Sequence, residues 1–426
     1  MVNLAVIGAG IGGCSAAYFA HKHLPSSKVT VYESENRIGG RAFTFNGGDM
    51  KIELGAAFFN STNKTVCSLV DELGLKVKKL EEFMDIAVWN GTEITFQSSQ
   101  SMFYKLLKLF TKYKLSVPKL LFILREADGK IKKLYTQQEQ KPAEFWELFE
   151  TVGLAQWYKT SFDKILVKNG VDQKFIDELI TPITRIIYSQ NAELGGFAGL
   201  SSLLGVYGES VYSLKDGNDV LPRKLLEAYP SNVELETKVD HIEKTSNGSF
   251  RVCVGASVSV FDAVIVAAPL ENADITFDGV AKLDWQAREY QKIFIRLMKG
   301  QINSRYFNLD SSAKFPSIIL TSKETDPITR FSINKSTKDE SWVTVTSTEP
   351  IGDDLLDDLF KNGKTVLDHT WNAAYPVFKP TQKIPNTCLD NKLLYLNAIE
   401  SAASSLESST LAAINSIKTI KQQLNH

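Results

Sequence analysis

Asn3-Leu4-Ala5-Val6-Ile7 runs directly into Gly8-Ala9-Gly10-Ile11-Gly12-Gly13 and then into Cys14-Ser15-Ala16-Ala17-Tyr18-Phe19-Ala20. The apolar run reads as a short buried strand, the spaced glycines as a turn, and the small residues after them as a helix. This is GxGxxG in the strand–turn–helix setting that cradles a dinucleotide. Gly8 permits the tight turn, and Gly10 lets the backbone approach a pyrophosphate. Gly13 lets the helix pack on the strand, so that the unbonded N–H groups at Ile11, Gly12 and Gly13 face the phosphates. A second strand, Lys28–Tyr32, ends at Glu33, twenty residues past Gly13. An acid there accepts hydrogen bonds from a ribose 2′-hydroxyl, which argues against NADP.

Just beyond lies Arg37-Ile38-Gly39-Gly40-Arg41. Its two glycines let the chain fold close over a cofactor, while the arginines can give charge-assisted bonds to phosphate. The Arg-x-Gly-Gly-Arg pattern resembles that of flavoproteins of the amine oxidase class, which selects FAD over NAD.

A chain of 426 residues with 43% hydrophobic composition has room for two domains with sizeable cores. A net charge of −1 gives no reason to expect nucleic acid. Cys14, Cys67, Cys253 and Cys388 have no metal spacing and read as free thiols, and the histidines form no ligand cluster, so no metal is expected. No apolar run reaches the length of a transmembrane helix, and Met1 leads straight into the first strand. As written, the chain is expected to be cytoplasmic. The Asn-x-Ser/Thr sequons at Asn60, Asn63, Asn90, Asn247 and Asn334 keep open a lysosomal or secretory-pathway lumen, if a leader has been removed.

The nucleotide-binding unit is not contiguous. After Ile52 to Phe59, read as a strand and turn near the cofactor and including Gly55 and Ala56, the composition turns helical and basic until about Leu204. Strand character resumes over 232–239, ending at Val239, then over 250–254 and 261–269. The last has the β-branched run of a strand buried on both faces, stopped by a proline. A third piece, 393–400, leads into a final helix from Leu406 to about Gln423. The expected fold is α/β: a Rossmann-type FAD-binding domain from 1–60, 210–270 and 385–426, with an interleaved α+β substrate-binding domain from 61–209 and 271–384. Such interleaving places the ligand cleft at the domain junction.

Within the insertion, 101–140 carries nine Lys/Arg against three Asp/Glu. On a helix, Phe103, Leu106, Leu107 and Phe110 share one face, with Lys105, Lys108 and Lys112 opposite. That segment, near 101–120, suits either peripheral contact with an anionic membrane or ordinary packing with a solvated basic face. Next, 175–188 reads as an apolar helix containing Pro182, Arg185 and Tyr188. The stretch 191–200 follows as a helix whose small residues allow close approach, and 211–218 as a strand containing Tyr212 and a tight turn. Arg185 interrupts an apolar stretch and is a candidate for bidentate binding of a carboxylate, against a salt bridge to Asp177 or Glu178. Tyr188, Tyr212 and Lys299 are further substrate-binding candidates, Lys299, after an apolar strand, against a solvated strand-end lysine.

The ordered set Gly8-x-Gly10-x-x-Gly13, Arg37 to Arg41, Pro182/Arg185/Tyr188, Phe197-Ala198-Gly199, Gly217-Asn218 and Asn397-Ala398-Ile399-Glu400-Ser401-Ala402-Ala403-Ser404 resembles the prenylcysteine oxidase (prenylcysteine lyase) family, within the amine-oxidase-like flavoproteins. The resemblance spans nearly the whole chain; the central and C-terminal blocks are its specific part. It implies a FAD-dependent thioether oxidase that converts farnesyl- or geranylgeranylcysteine, with O₂ and water, to a prenyl aldehyde, free cysteine and hydrogen peroxide. It also implies that Glu400, Ala402 and Ala403 contact FAD. Relatives favour glycine where this chain has Ala56 and Ala398, which is expected to narrow the space over the flavin. Two other readings share parts of the pattern: another FAD oxidoreductase of the amine oxidase or desaturase class, and a non-catalytic prenyl-binding escort. No triad, CxxC or metal spacing is present, in keeping with chemistry that belongs to a bound cofactor.

Overall fold

The opening strand, Asn3–Ile7, lies inside a six-stranded sheet whose order is Asn232–Glu234, Lys28–Tyr32, Asn3–Ile7, Ala263–Val266, Leu393–Tyr395 and Cys388–Asp390. Every neighbouring pair is parallel except the last. The computed structural model describes residues 1–48, 50–81, 85–98, 111–207, 210–280, 285–310, 315–322, 327–336 and 340–425.

Alternation along the first strand explains how both faces are covered. Leu4 and Val6 pack with Ala16, Ala17 and Ala20 of the helix Ile11–His23 and with Ala412, Ala413 and Ile417 of the helix Leu406–Leu424. Ala5 and Ile7 face the other way, into a core with Ile242, Phe250, Val252 and Phe261. Those belong to a four-stranded sheet of Ser257–Phe261, Phe250–Val254, His241–Lys244 and Thr276–Asp278. Central strands buried on both sides are what a parallel sheet requires.

The second region is α+β. Its seven-stranded sheet has the order Phe360–Pro376, Tyr290–Ile302, Ser341–Ser347, Ile328–Ser336, Ile318–Thr321, Ile86–Trp89 and Ile94–Gln97. Beside it stand the long helix Ser116–Gln140 and the shorter helices through Gly196–Tyr207. The architecture is thus a Rossmann-type α/β region with an interleaved α+β region.

Three local expectations need correction or completion. Extended structure over 232–239 stops at Glu234. Glu236 adopts a left-handed φ of 53° and the Thr237 amide donates to the Glu33 carbonyl at 2.8 Å, which turns Thr237, Lys238 and Val239 into a loop over the sheet's edge. The 175–188 helix does form, but with a π turn at Ile176–Ile180 just before Thr181–Tyr188. Proline lacks an N–H and crowds the carbonyl four residues back, and one wide turn absorbs that misfit at Pro182. The amphipathic segment 101–110 lies outside the described residues. Lys112, next to it, pairs with Glu178 at 2.9 Å. Asn60, one of the sequon asparagines, is buried, with its side-chain amide donated to the carbonyls of Leu204 and Gly205. Among the described residues no helix is long and apolar enough to cross a membrane.

Candidate functional site

A cavity of about 1650 Å³ opens at the carboxyl ends of the parallel strands and continues between the seven-stranded sheet and the helical block. Ligand pockets are commonly about 300–1000 Å³. The space therefore suits more than one molecule, and its two ends differ in construction.

Ile7, Gly8, Gly10, Ile11, Gly12, Glu33 and Val239 line one end. A Cβ on Gly13 would stand 1.9 Å from the Gly8 carbonyl oxygen, so only glycine lets the helix come this close to the turn. The second glycine pair folds across the first: the Gly39 amide donates to the Ala9 carbonyl at 2.9 Å, with φ of +134° at Gly39. Gly10 caps the helix Ile11–His23 without a side-chain bond, and the first turn holds no acid. Its leading N–H groups are therefore left for an anion. Glu33, buried, accepts from the amides of Ala9 at 2.7 Å and Glu35 at 2.9 Å and still lines the cavity. An open glycine cradle, free helix N–H groups and an acid at the second strand's end fit the pyrophosphate and ribose of a dinucleotide.

Arg37 and Arg41 line the same space, yet their bonds go to protein. Arg37 donates to the carbonyls of Gly40 at 2.6 Å and Ala42 at 3.2 Å, its guanidinium 4.8 Å from the Phe43 ring centre. Arg41 forms a salt bridge with Glu400 and donates to the Ala374 carbonyl at 3.2 Å and Ser404 Oγ at 3.3 Å. Gly55 completes this wall, because a Cβ there would meet the Arg41 carbonyl oxygen at 1.9 Å. Beneath it, buried Asn218 donates from its side chain to the Ala56 carbonyl at 2.8 Å, while its amide donates to Glu53 at 2.8 Å. Burial pushes the Glu53 carboxyl up to about 7, against the hydrogen bonds from Asn218 and Thr44.

Glu400 is 1% exposed and accepts from the Tyr290 hydroxyl at 2.8 Å as well as from Arg41. Burial raises its carboxyl, but Arg41 and Arg288 outweigh burial and hold it below the ordinary carboxylate range. Arg288 is itself paired with Glu271 at 2.6 Å and donates to the Asn397 carbonyl at 2.6 Å. Ala403 lines the cavity and Ala402 packs behind it. Ala56 also lines the cavity, whereas Ala398 is turned into the core with Phe250 and Val266. Of the two alanines, Ala56 is the one that faces the cavity.

The other end is apolar. Ile131, Leu134, Phe145, Phe149, Phe197 and Leu204 line it, with Phe149 and Phe197 edge to face at 4.6 Å. Of the substrate-end candidates the structure brings Tyr188 to this space. Its hydroxyl donates to the Ser404 carbonyl at 3.0 Å and its ring meets Tyr375 and Phe378. Arg185 lies behind the wall, where it donates to Asn191 Oδ1, Thr321 Oγ1 and the Ile328 carbonyl. Desolvation pushes it down to about 10. Neither Asp177 nor Glu178 is the partner those bonds find. Tyr212 packs on Phe59, and Lys299 pairs with Glu340 at 3.1 Å beside Trp342, both away from the cavity lining.

Residues without a motif complete the site. Across the seven-stranded sheet, Arg330, Thr346, Ile295 and His369 share one register row and all line the cavity. Glu407 receives the amides of Thr65 and Val66 at 2.9 Å and the Tyr135 hydroxyl at 2.7 Å, tying three helices together at the wall. The first would have been legible only as a stripe within ordinary strands; the second resembles any helix-start acid. Among the described residues no cluster could hold a metal ion.

A family model described as prenylcysteine lyase matches residues 96–426, and one described as an NAD(P)-binding Rossmann-like domain matches residues 6–73. The chain is 27% identical over 448 residues to a farnesylcysteine lyase of Arabidopsis thaliana, covering 98% of this chain and 88% of that protein. It is 29% identical over 441 residues to a Bos taurus protein named prenylcysteine oxidase 1-like, covering 97% and 89%. With Homo sapiens prenylcysteine oxidase 1 the identity is 27% over 447 residues, covering 97% and 87%. Among solved structures, putrescine oxidase bound to putrescine shares the fold with a TM-score of 0.67 at 14% identity over 99% of both chains. Cyclohexylamine oxidase from Brevibacterium oxydans does so with a TM-score of 0.67 at 17% identity over 100% of both. With that fold closed around a dinucleotide cradle, the chain belongs to the prenylcysteine lyase family of FAD-dependent oxidoreductases.

Proposed function

We propose that this chain is a thioether oxidase that cleaves farnesyl- or geranylgeranylcysteine. In the overall reaction the thioether, O₂ and water become a prenyl aldehyde, free cysteine and hydrogen peroxide. The observation that carries this reading is the continuity of the cavity, from the glycine cradle at Gly8 and Gly10 to the apolar end at Phe149, Phe197 and Leu204. A long hydrocarbon tail needs such a lining, because its burial is driven by the apolar area removed from water.

FAD, held by the Gly8–Gly13 turn, Glu33 and the Glu400 segment, would supply the two-electron oxidation of the carbon bonded to sulfur. The chain's own part is binding and orientation. The Gly8–Gly13 loop and helix start bind the phosphates, Glu33 the ribose. The Arg41–Glu400–Tyr290 network keeps the wall rigid at the centre, and Tyr188, held by Ser404, borders the substrate side. The apolar walls exclude water from the tail.

The test is anaerobic mixing of FAD-loaded protein with farnesylcysteine and, separately, with putrescine and cyclohexylamine. Bleaching of the flavin by farnesylcysteine alone, with farnesal and peroxide formed once air is admitted, is the expected result. Bleaching by the amines would move the chain to the amine oxidase class. Protein that takes up no FAD at all would leave the escort reading.

A further inference from the structure

Among the described residues, one guanidinium that faces the cavity from the seven-stranded sheet has no carboxylate partner. Arg330 is partly buried in the wall, in the register row with Thr346, Ile295 and His369. Of the five N–H donors of an arginine, one is used among the described residues, from Nη2 to Thr346 Oγ1 at 3.2 Å. Its Nε is buried with no hydrogen-bond partner. The other arginines at the cavity are answered within the fold: Arg41 by Glu400, and Arg37 by Glu35 and two carbonyls. Burial depresses the pKa of Arg330, with the Tyr375 hydroxyl acting against it.

A desolvated cation without a counter-charge weakens a fold, and an anion arriving at it gains charge-assisted bonds in a low-dielectric setting. We propose that Arg330 binds the α-carboxylate of the S-alkylated cysteine, fixing the amino-acid end of the substrate against the sheet while the tail lies along Phe149, Phe197 and Leu204. The proposal rests on the thioether oxidase reading. It assigns to Arg330, which lines the cavity, the role that sequence alone suggests for Arg185, which does not line it and whose Nη1 and Nη2 donate to Asn191, Thr321 and Ile328.

The experiment compares farnesylcysteine with its methyl ester, which keeps the thioether and masks the carboxylate, on wild type, Arg330→Met and Arg330→Lys. Wild type is expected to favour the acid by about 10- to 100-fold in kcat/KM, the worth of a hydrogen bond to a charged group. In Arg330→Met that preference falls to near unity through KM, with flavin content unchanged, and Arg330→Lys keeps part of it. An acid-to-ester ratio that survives in Arg330→Met overturns the proposal. So does loss of flavin from both variants, which would place Arg330 on the cofactor. Where Arg330→Met does not fold, the ratio in Arg330→Lys decides. If neither compound reduces the flavin of wild type, the oxidase reading fails by itself. The proposal is then read from the melting-temperature shift each compound causes in the FAD-loaded protein, and equal shifts in wild type overturn it.

Discussion

The two ends of the cavity obey different rules. At the nucleotide end, shape comes from backbone: glycines that admit no Cβ, amides at a helix start, and charges paired inside the fold, as Arg41 is with Glu400. At the apolar end, shape comes from side chains of distant elements, and among the described residues a guanidinium is left with one neutral hydrogen-bond partner. The difference teaches that the nucleotide end is built to be stable by itself, while the apolar end carries a destabilising group that, on the reading proposed above, a ligand answers.

The strongest way to break this contrast is at the cradle. Gly13→Val should abolish flavin uptake, measured by absorbance of the purified protein, because the Cβ has 1.9 Å to the Gly8 carbonyl oxygen and the helix must move away. Retained flavin would show that the close approach is not what makes the site. Glu400→Gln should cost about 1–3 kcal/mol in denaturant unfolding, since it removes the charge that a half-buried Arg41 pairs with while Arg41 keeps its bonds to Ala374 and Ser404. Adding Arg41→Met should recover a large part of that loss, and a strictly additive double variant would argue against coupling.

Glu53 gives the pH dependence. Its carboxyl is raised from 4.5 to about 7 in the fold, so the protonated form is the one the fold favours. Its contribution is fully present below the unfolded value and is lost as pH rises through the folded one. Stability should therefore fall between about pH 4.5 and 7 by up to roughly 3 kcal/mol from this group, and Glu53→Gln should flatten that slope. An unchanged slope would assign it to other carboxyls. The smallest effect sharpens the other side of the contrast. Arg330→Met should raise the melting temperature of the ligand-free protein by about 2 °C, because an unanswered cation is removed from the wall. A lower melting temperature would mean that Arg330 supports the fold.

The nucleotide end was legible in the sequence because its logic is local. Gly8, Gly10 and Gly13, the acid at Glu33 and the pair Gly39-Gly40 each meet a demand set within a few dozen residues, and the strands that carry them announce themselves by apolar runs. Even there the reading reached only residue types. It placed Arg37 and Arg41 at the cofactor, whose cavity they do line, without showing that Gly40, Ala42 and Glu400 also hold them. It extended a strand to Val239 where the chain turns after Glu234 to reach the cavity.

At the substrate end local logic gives out. Arg185 was conspicuous because it interrupts an apolar helix, but helical periodicity says which face a residue occupies and nothing about what lies opposite. Arg330 sits in an unremarkable strand, and its meaning depends on Thr346, Ile295 and His369 arriving beside it from strands paired in register. By itself the sequence determined the dinucleotide cradle, the family and the segments that form the nucleotide-end strands, since those follow from short-range pattern. Tertiary structure decided which charges cancel and which stays open to a ligand, because desolvation and pairing depend on groups brought together from far apart in the chain.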